Sequence, residues 1–122
     1  MQGFRQLIVW QKAHELTVEI YTVTAQFPRE ELYSLTSQLK RAAASVGANI
    51  AEGCGRGSDL DFSRFLLIAM GSASELEYHL LLARDLGFLP KDAYDRLNLR
   101  TTEVKRMLAS LIAKTRTRSA AG

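Results

Sequence analysis

Two histidines, one cysteine and a run of basic residues near the C-terminus are the side chains here with chemistry to offer. His14 and His79 fall on different predicted helices. His79 lies four residues after Glu75, one helical turn along the same face, where an imidazole and a carboxylate could share a metal ion. Neither histidine belongs to the Glu-x-x-His pairing of di-iron bundles, so the spacing reads as a surface or interface contact and no metal is expected. Cys54 sits in Gly53-Cys54-Gly55-Arg56-Gly57-Ser58, where Arg56 could favour the thiolate. It has no adjacent histidine and no second cysteine, so neither nucleophilic catalysis nor an intrachain disulfide is indicated. The same stretch lacks the preceding strand and the Lys-Ser/Thr ending of a phosphate loop. No acid–base pair with a partner emerges, so no enzyme and no cofactor are expected.

The basic residues carry the stronger signal. Residues 1–99 hold 10 basic against 12 acidic side chains. Residues 100–122 hold Arg100, Lys105, Arg106, Lys114, Arg116 and Arg118 against Glu103, a local +5 within a net charge of +3. Two readings are open. The charges complement the C-terminal dipole of their own helix, or they form a patch for a polyanion. On the second reading these six residues, with Arg41, are the candidate nucleic-acid contacts.

The elements that position these residues follow from periodicity. A chain of 122 residues fits one domain and can bury roughly two-thirds of its unfolded surface. It has 2 prolines and 8 glycines, four of them between 47 and 57. So few breakers require long elements, and helices accommodate that best. Val9, Ala13, Leu16, Ile20, Val23 and Phe27 recur at spacings of four and three, ended by Pro28. Leu32, Leu35, Leu39, Ala42, Val46 and Ile50 mark a second helix over 32–53, with Gly53 or Gly55 as its left-handed cap. Phe62, Leu66, Ala69, Ala73, Leu76, Leu80 and Ala83 mark a third over 59–86, capped by Ser58 or Asp59. Tyr94, Leu97, Thr101, Val104, Leu108 and Leu111 mark a fourth over 91–114. Short connections and seams near 3.5 residues predict an all-α, antiparallel up-down four-helix bundle spanning 1–114, with 115–122 a flexible tail. No signal peptide opens the chain and no stretch approaches the ~20 apolar residues of a membrane span, so a cytoplasmic protein is the expectation.

The second and third helices are rich in small residues, 42–51 and 69–74. Small facing small predicts close axes, which would compensate Gly47 and Gly71 for the ~1 kcal/mol each costs in a helix. Gln38, Arg41, Ser45, Asn49 and Glu52 share one face of the second helix; Ser72, Glu75 and His79 share one face of the third. These are either a solvated face with register-fixing hydrogen bonds or a surface for a ligand or subunit. Arg41 and Glu75 are expected to form an ion pair across the hairpin. Leu67, Ile68, Met70, Leu81 and Leu82 make the third helix apolar beyond its seam, which predicts self-association.

The same residues carry a family resemblance. Phe4-Arg5-Gln6-Leu7-Ile8-Val9-Trp10-Gln11-Lys12-Ala13, Phe27-Pro28, Leu35-Thr36, Gln38-Leu39-Lys40-Arg41-Ala42, Ser45-Val46 and Asn49-Ile50-Ala51-Glu52-Gly53 resemble the bacterial 23S ribosomal RNA intervening-sequence protein family. So do Arg64-Phe65-Leu66, Ile68-Ala69, Gly71-Ser72, Glu75-Leu76-Glu77 and Leu86-Gly87-Phe88-Leu89, and the likeness covers about 4–112. Gln38, Ser45, Asn49, Glu52, Gly53, Gly71, Ser72 and Glu75 carry the motif. The resemblance implies a four-helix bundle, a homopentameric ring and no enzymatic activity. Its relatives include the accessory variability determinant of diversity-generating retroelements, a basic barrel that binds nucleic acid and partners a reverse transcriptase. Five copies at +3 would carry five times three, or +15. With little aromatic interleaving among the basic residues, base stacking is not signalled, and binding would go to the phosphates of RNA or DNA. The alternative is a protein-interaction module without nucleic-acid affinity.

Overall fold

The computed structural model describes residues 3–121; Met1, Gln2 and Gly122 lie outside the described residues. Four helices make the fold: α1 Ile8–Thr24, α2 Leu35–Cys54, α3 Asp59–Asp85 and α4 Lys91–Ala121. Short 3-10 turns at Phe4–Gln6 and Arg29–Glu31 precede α1 and α2, and the described residues contain no strand.

The boundaries differ from the periodicity at identifiable places. α1 ends at Thr24, and Phe27 lies beyond the helix in a turn that returns its ring to the core, 6.0 Å from Phe88. α2 begins at Leu35 rather than Leu32. The Glu31 carboxylate accepts from Ser34 Oγ at 2.8 Å and from the Leu35 N–H at 3.4 Å, which favours a fresh helix start there. Leu32 and Tyr33 are left exposed. α2 runs through Gly53 to Cys54 with Gly55 still right-handed, so the residue that takes the left-handed turn is Gly57, at φ 88°. Ser58 Oγ then accepts the Asp61 N–H, with Asp59 and Asp61 at the positive end of α3.

α3 closes at a left-handed Gly87, φ 79°, with the Phe88 N–H donating to the Ala83 carbonyl and the Gly87 N–H to that of Arg84. The largest correction is at the C-terminus. Residues 115–121, expected within a flexible tail, are helical: α4 continues to Ala121, and its seam extends through Ile112 to a buried Thr115. Leu111, expected in that seam, is only half-buried.

The core lies between the four seams: Leu16 and Ile20 of α1, Leu39 and Ile50 of α2, Leu66, Leu76 and Leu80 of α3, Leu97 and Leu108 of α4, all essentially without solvent contact. Backbone contacts join α1 to α2, α2 to α3, α3 to α4 and α4 back to α1, and none joins α2 to α4. The two helices that hold the basic candidates therefore occupy opposite corners. The close approach of α2 and α3 centres on Gly53, where an added Cβ would stand 2.7 Å from Phe65 Cβ and 3.1 Å from Phe62 Cδ1. A Cβ added at Gly47 would stand 3.5 Å from Trp10 Nε1 of α1, whereas one added at Gly71, expected to be compensated by a neighbour, would meet nothing within 4 Å.

By length and composition α3 also meets the measure of a membrane span, contrary to expectation. Its seam faces protein, and Ser72 and Glu77 are tied to α2 and α4, as a bundle helix would have it.

Candidate nucleic-acid interface

Carboxylates divide the seven basic candidates into two groups. Arg100 pairs with Glu19 of α1, which also accepts from Arg96 Nε at 2.9 Å. Lys105 Nζ donates to Glu77 of α3 at 2.9 Å. Arg118 clasps Asp59 through two bonds of 3.2 Å. These three cations hold α4 to its neighbours; with pairs mostly exposed, each contributes about 0–1 kcal/mol. Arg100 turns to α1 and Lys105 and Arg118 turn to α3, so the three do not form one free face.

Arg106, Lys114 and Arg116 are exposed and make no ion pair among the described residues. At about 100° per residue, Lys114 and Arg116 lie about 80° to either side of Arg106, so the three span the outward half of α4 over ~15 Å. Lys114 also rims an apolar hollow of about 280 Å³ lined by Leu7, Ile8, Met107 and Leu111. At the other end of α4, Asp95 accepts from Lys91 Nζ at 2.6 Å, and that hydrogen bond, then its Coulomb attraction, holds the ammonium above its usual pKa. Arg41 is exposed and unpaired too, but on α2, so the fold does not bring it to the α4 group.

The motif residues separate by role. Ser45 Oγ and Ser72 Oγ share a hydrogen bond of 2.8 Å across α2 and α3, and Asn49 Nδ2 donates to the Ser45 carbonyl at 2.8 Å and to its hydroxyl at 3.0 Å. These fix register. Glu52 pairs with Arg56 at 3.0 Å. Gln38 and Glu75 are exposed, and the expected Arg41–Glu75 ion pair does not form. His79 Nδ1 is buried without a hydrogen-bond partner, and no group of three His, Cys, Asp or Glu side chains gathers among the described residues. The Cys54 thiol is buried.

One constellation escaped the sequence reading. Phe4, Trp10 and His14 form a ledge beside α2: Phe4 meets Trp10 edge-on at 5.0 Å, and Trp10 stacks on His14 at 4.9 Å and 6°. Arg5 lies over Phe4 and Lys40 over Tyr21. The signal in the sequence is the spacing of Trp10, His14 and Tyr21 along one face of α1.

The sequence profile of the family described as 23S rRNA-intervening sequence protein matches residues 5–110. A crystal structure from Bacteroides thetaiotaomicron VPI-5482, a protein of unknown function from the S23 ribosomal protein family, is similar at a TM-score of 0.78 and 30% identity. The likeness covers 86% of this chain and 98% of that one. No curated protein matches the chain.

Proposed function

The chain belongs to the 23S rRNA-intervening sequence protein family, and from that premise we propose that it is a non-enzymatic, self-associating bundle that binds the phosphates of RNA or DNA. The observation that carries this is the outward half of α4, where Arg106, Lys114 and Arg116 stand without carboxylate partners. Cations left unpaired on one face attract a polyanion and give affinity without base selectivity. On this reading the protein works in the cytoplasm and a reverse transcriptase is one kind of protein partner.

The bundle is read as antiparallel and up-down. Residues late in α2 meet residues early in α3, as Gly53 meets Phe62 and Phe65, and Lys105 of α4 meets Glu77 of α3 while Arg118 meets Asp59. Self-association, with a ring of five as the proposed form, is supported by the outer face of α3. Leu60, Leu67, Gly71 and Tyr78 fall on one line at spacings of seven, four and seven, with Ile68 beside them. Leu67, Ile68 and Tyr78 are 43%, 51% and 58% exposed. Gly71 in their midst costs about 1 kcal/mol of helix stability, and nothing within 4 Å in the single chain compensates it. A second copy pressed against that line would cover the apolar side chains and use the missing Cβ.

The test is fluorescence anisotropy of a labelled structured RNA and a duplex DNA at about 50 and 200 mM salt. Three phosphate contacts per protomer give a log–log slope of about −2 to −3, a roughly 20- to 40-fold loss across that fourfold range. Reversing Arg106, Lys114 and Arg116 to Glu abolishes this binding with the helical signal intact. Binding that survives the triple reversal removes the α4 face from the account. No binding to either probe leaves the α3 face as the functional surface, of a protein-interaction module.

A further inference from the structure

We propose that the groove between α1 and α2 is a stacking site for unpaired bases of a single-stranded nucleic acid, an inference that rests on the nucleic-acid reading above and names its strand class and surface. Trp10, His14, Thr17 and Tyr21 recur at spacings of four, three and four, so they form one row along α1. Thr17 Oγ1 donates to the Ala43 carbonyl at 3.0 Å, which seats the row on α2. The floor is made of Ala44, Gly47, Ala48 and Ala51, side chains too short to fill the space in front of the rings. A cavity of about 300 Å³ results, open to solvent along its length. His14 is exposed, and Trp10 covers one of its faces.

Cations outnumber carboxylates around this groove. Arg5 lies over Phe4 at 5.5 Å at one end, and Lys40 over Tyr21 at 4.9 Å at the other. Arg41 stands one turn before Ala44 on the same row of α2 and is unpaired. The single carboxylate of α2 is Glu52, and Arg56 neutralises it. Ring faces flanked by cations are what a flexible strand engages: bases stack while phosphates reach the charges. In a duplex the bases already stack on one another and offer only their edges, so a duplex cannot use the ledge. A neutral apolar peptide could fill the floor but would leave the cations unanswered.

Trp10 is the sole tryptophan, so its emission reports on the groove alone. The full chain is titrated with a labelled ten-nucleotide oligouridine, with oligodeoxythymidine and with a duplex of equal length, reading Trp emission and label anisotropy together. The strands are expected to quench Trp10 saturably, at the midpoint given by anisotropy, and the duplex to leave it unchanged. His14→Ala removes one stacking face and weakens strand binding about 5- to 150-fold. Ala48→Leu, at an exposed position, blocks the floor without changing charge and weakens it as well. Both variants keep the circular dichroism of the parent. Strand binding by anisotropy with Trp10 emission unmoved and both variants unaffected overturns the groove and leaves phosphate binding standing. No binding of strand, duplex or structured RNA overturns both. Quenching by an acidic peptide that the strands fail to displace makes the groove a protein site and overturns the proposal.

Discussion

Replacing Gly53 by Ala tests the packing that positions every other feature. The new Cβ would stand 2.7 Å from Phe65 Cβ, 3.1 Å from Phe62 Cδ1 and 3.4 Å from the Phe62 carbonyl. The nearest atom is the Cβ of a neighbouring helix, so no rotamer change relieves it, and α2 and α3 must separate by more than half an ångström at a point where Leu66 and Ile50 are fully buried. Overpacking of this kind costs about 1–3 kcal/mol. The Gly-to-Ala change itself stabilises a helix interior by about 1 kcal/mol, so the net effect is a loss of about 0–2 kcal/mol. Gly71→Ala supplies the control, because it gains a helix-interior propensity of about 1 kcal/mol with nothing within 4 Å in the single chain to resist. The difference between the two variants isolates the packing term at about 1–3 kcal/mol. At about 3–6 °C per kcal/mol for a chain of this size, Gly53→Ala should melt roughly 3–18 °C below Gly71→Ala. Thermal and urea melts followed by helical circular dichroism measure this at low protein concentration, where assembly contributes least. Equal melting temperatures would refute the close approach of α2 and α3 at Gly53.

Other outcomes follow from the same contacts. Glu19→Gln releases Arg96 and Arg100 from their shared carboxylate, so stability falls by about 1 kcal/mol while affinity for duplex DNA rises at low salt, read by urea melts and anisotropy. Ile68→Glu places a charge on the α3 face and should shift the sedimentation coefficient to that of a smaller species with helicity unchanged; an unaltered coefficient would exclude that face from the assembly. Ending the chain after Lys114 removes a buried Thr115 and the Arg118–Asp59 clasp, and should lower Tm measurably, where a frayed tail would leave it unmoved.

The helix seams were legible because burial imposes a period of three and four on any helix with one dry side, and Val9 to Ile20 or Phe62 to Ala83 show it without reference to partners. The excess apolar side chains of α3 were legible for the same reason. Helix ends were less so. Leu32 fits the period of α2, but the Glu31 carboxylate and the turn before it decide that the helix begins at Leu35. Thr115 to Ala121 read as a tail because they are polar and small, yet Thr115 is buried and Arg118 finds Asp59 of α3, a partner more than fifty residues away in sequence.

The candidate site divides in the same way. Composition fixed which residues are basic and that they crowd the last quarter of the chain. It could not say which are already spent on Glu19, Glu77 and Asp59, because an ion pair depends on where α1 and α3 carry their acids. Nor could it set Arg41 on the corner opposite α4, or turn Trp10, His14 and Tyr21 from a spacing into a ledge over the short side chains of α2. One-dimensional pattern determines what each helix must bury. Only the packed bundle decides which charges and rings remain for a partner, because that depends on what each neighbour has already covered.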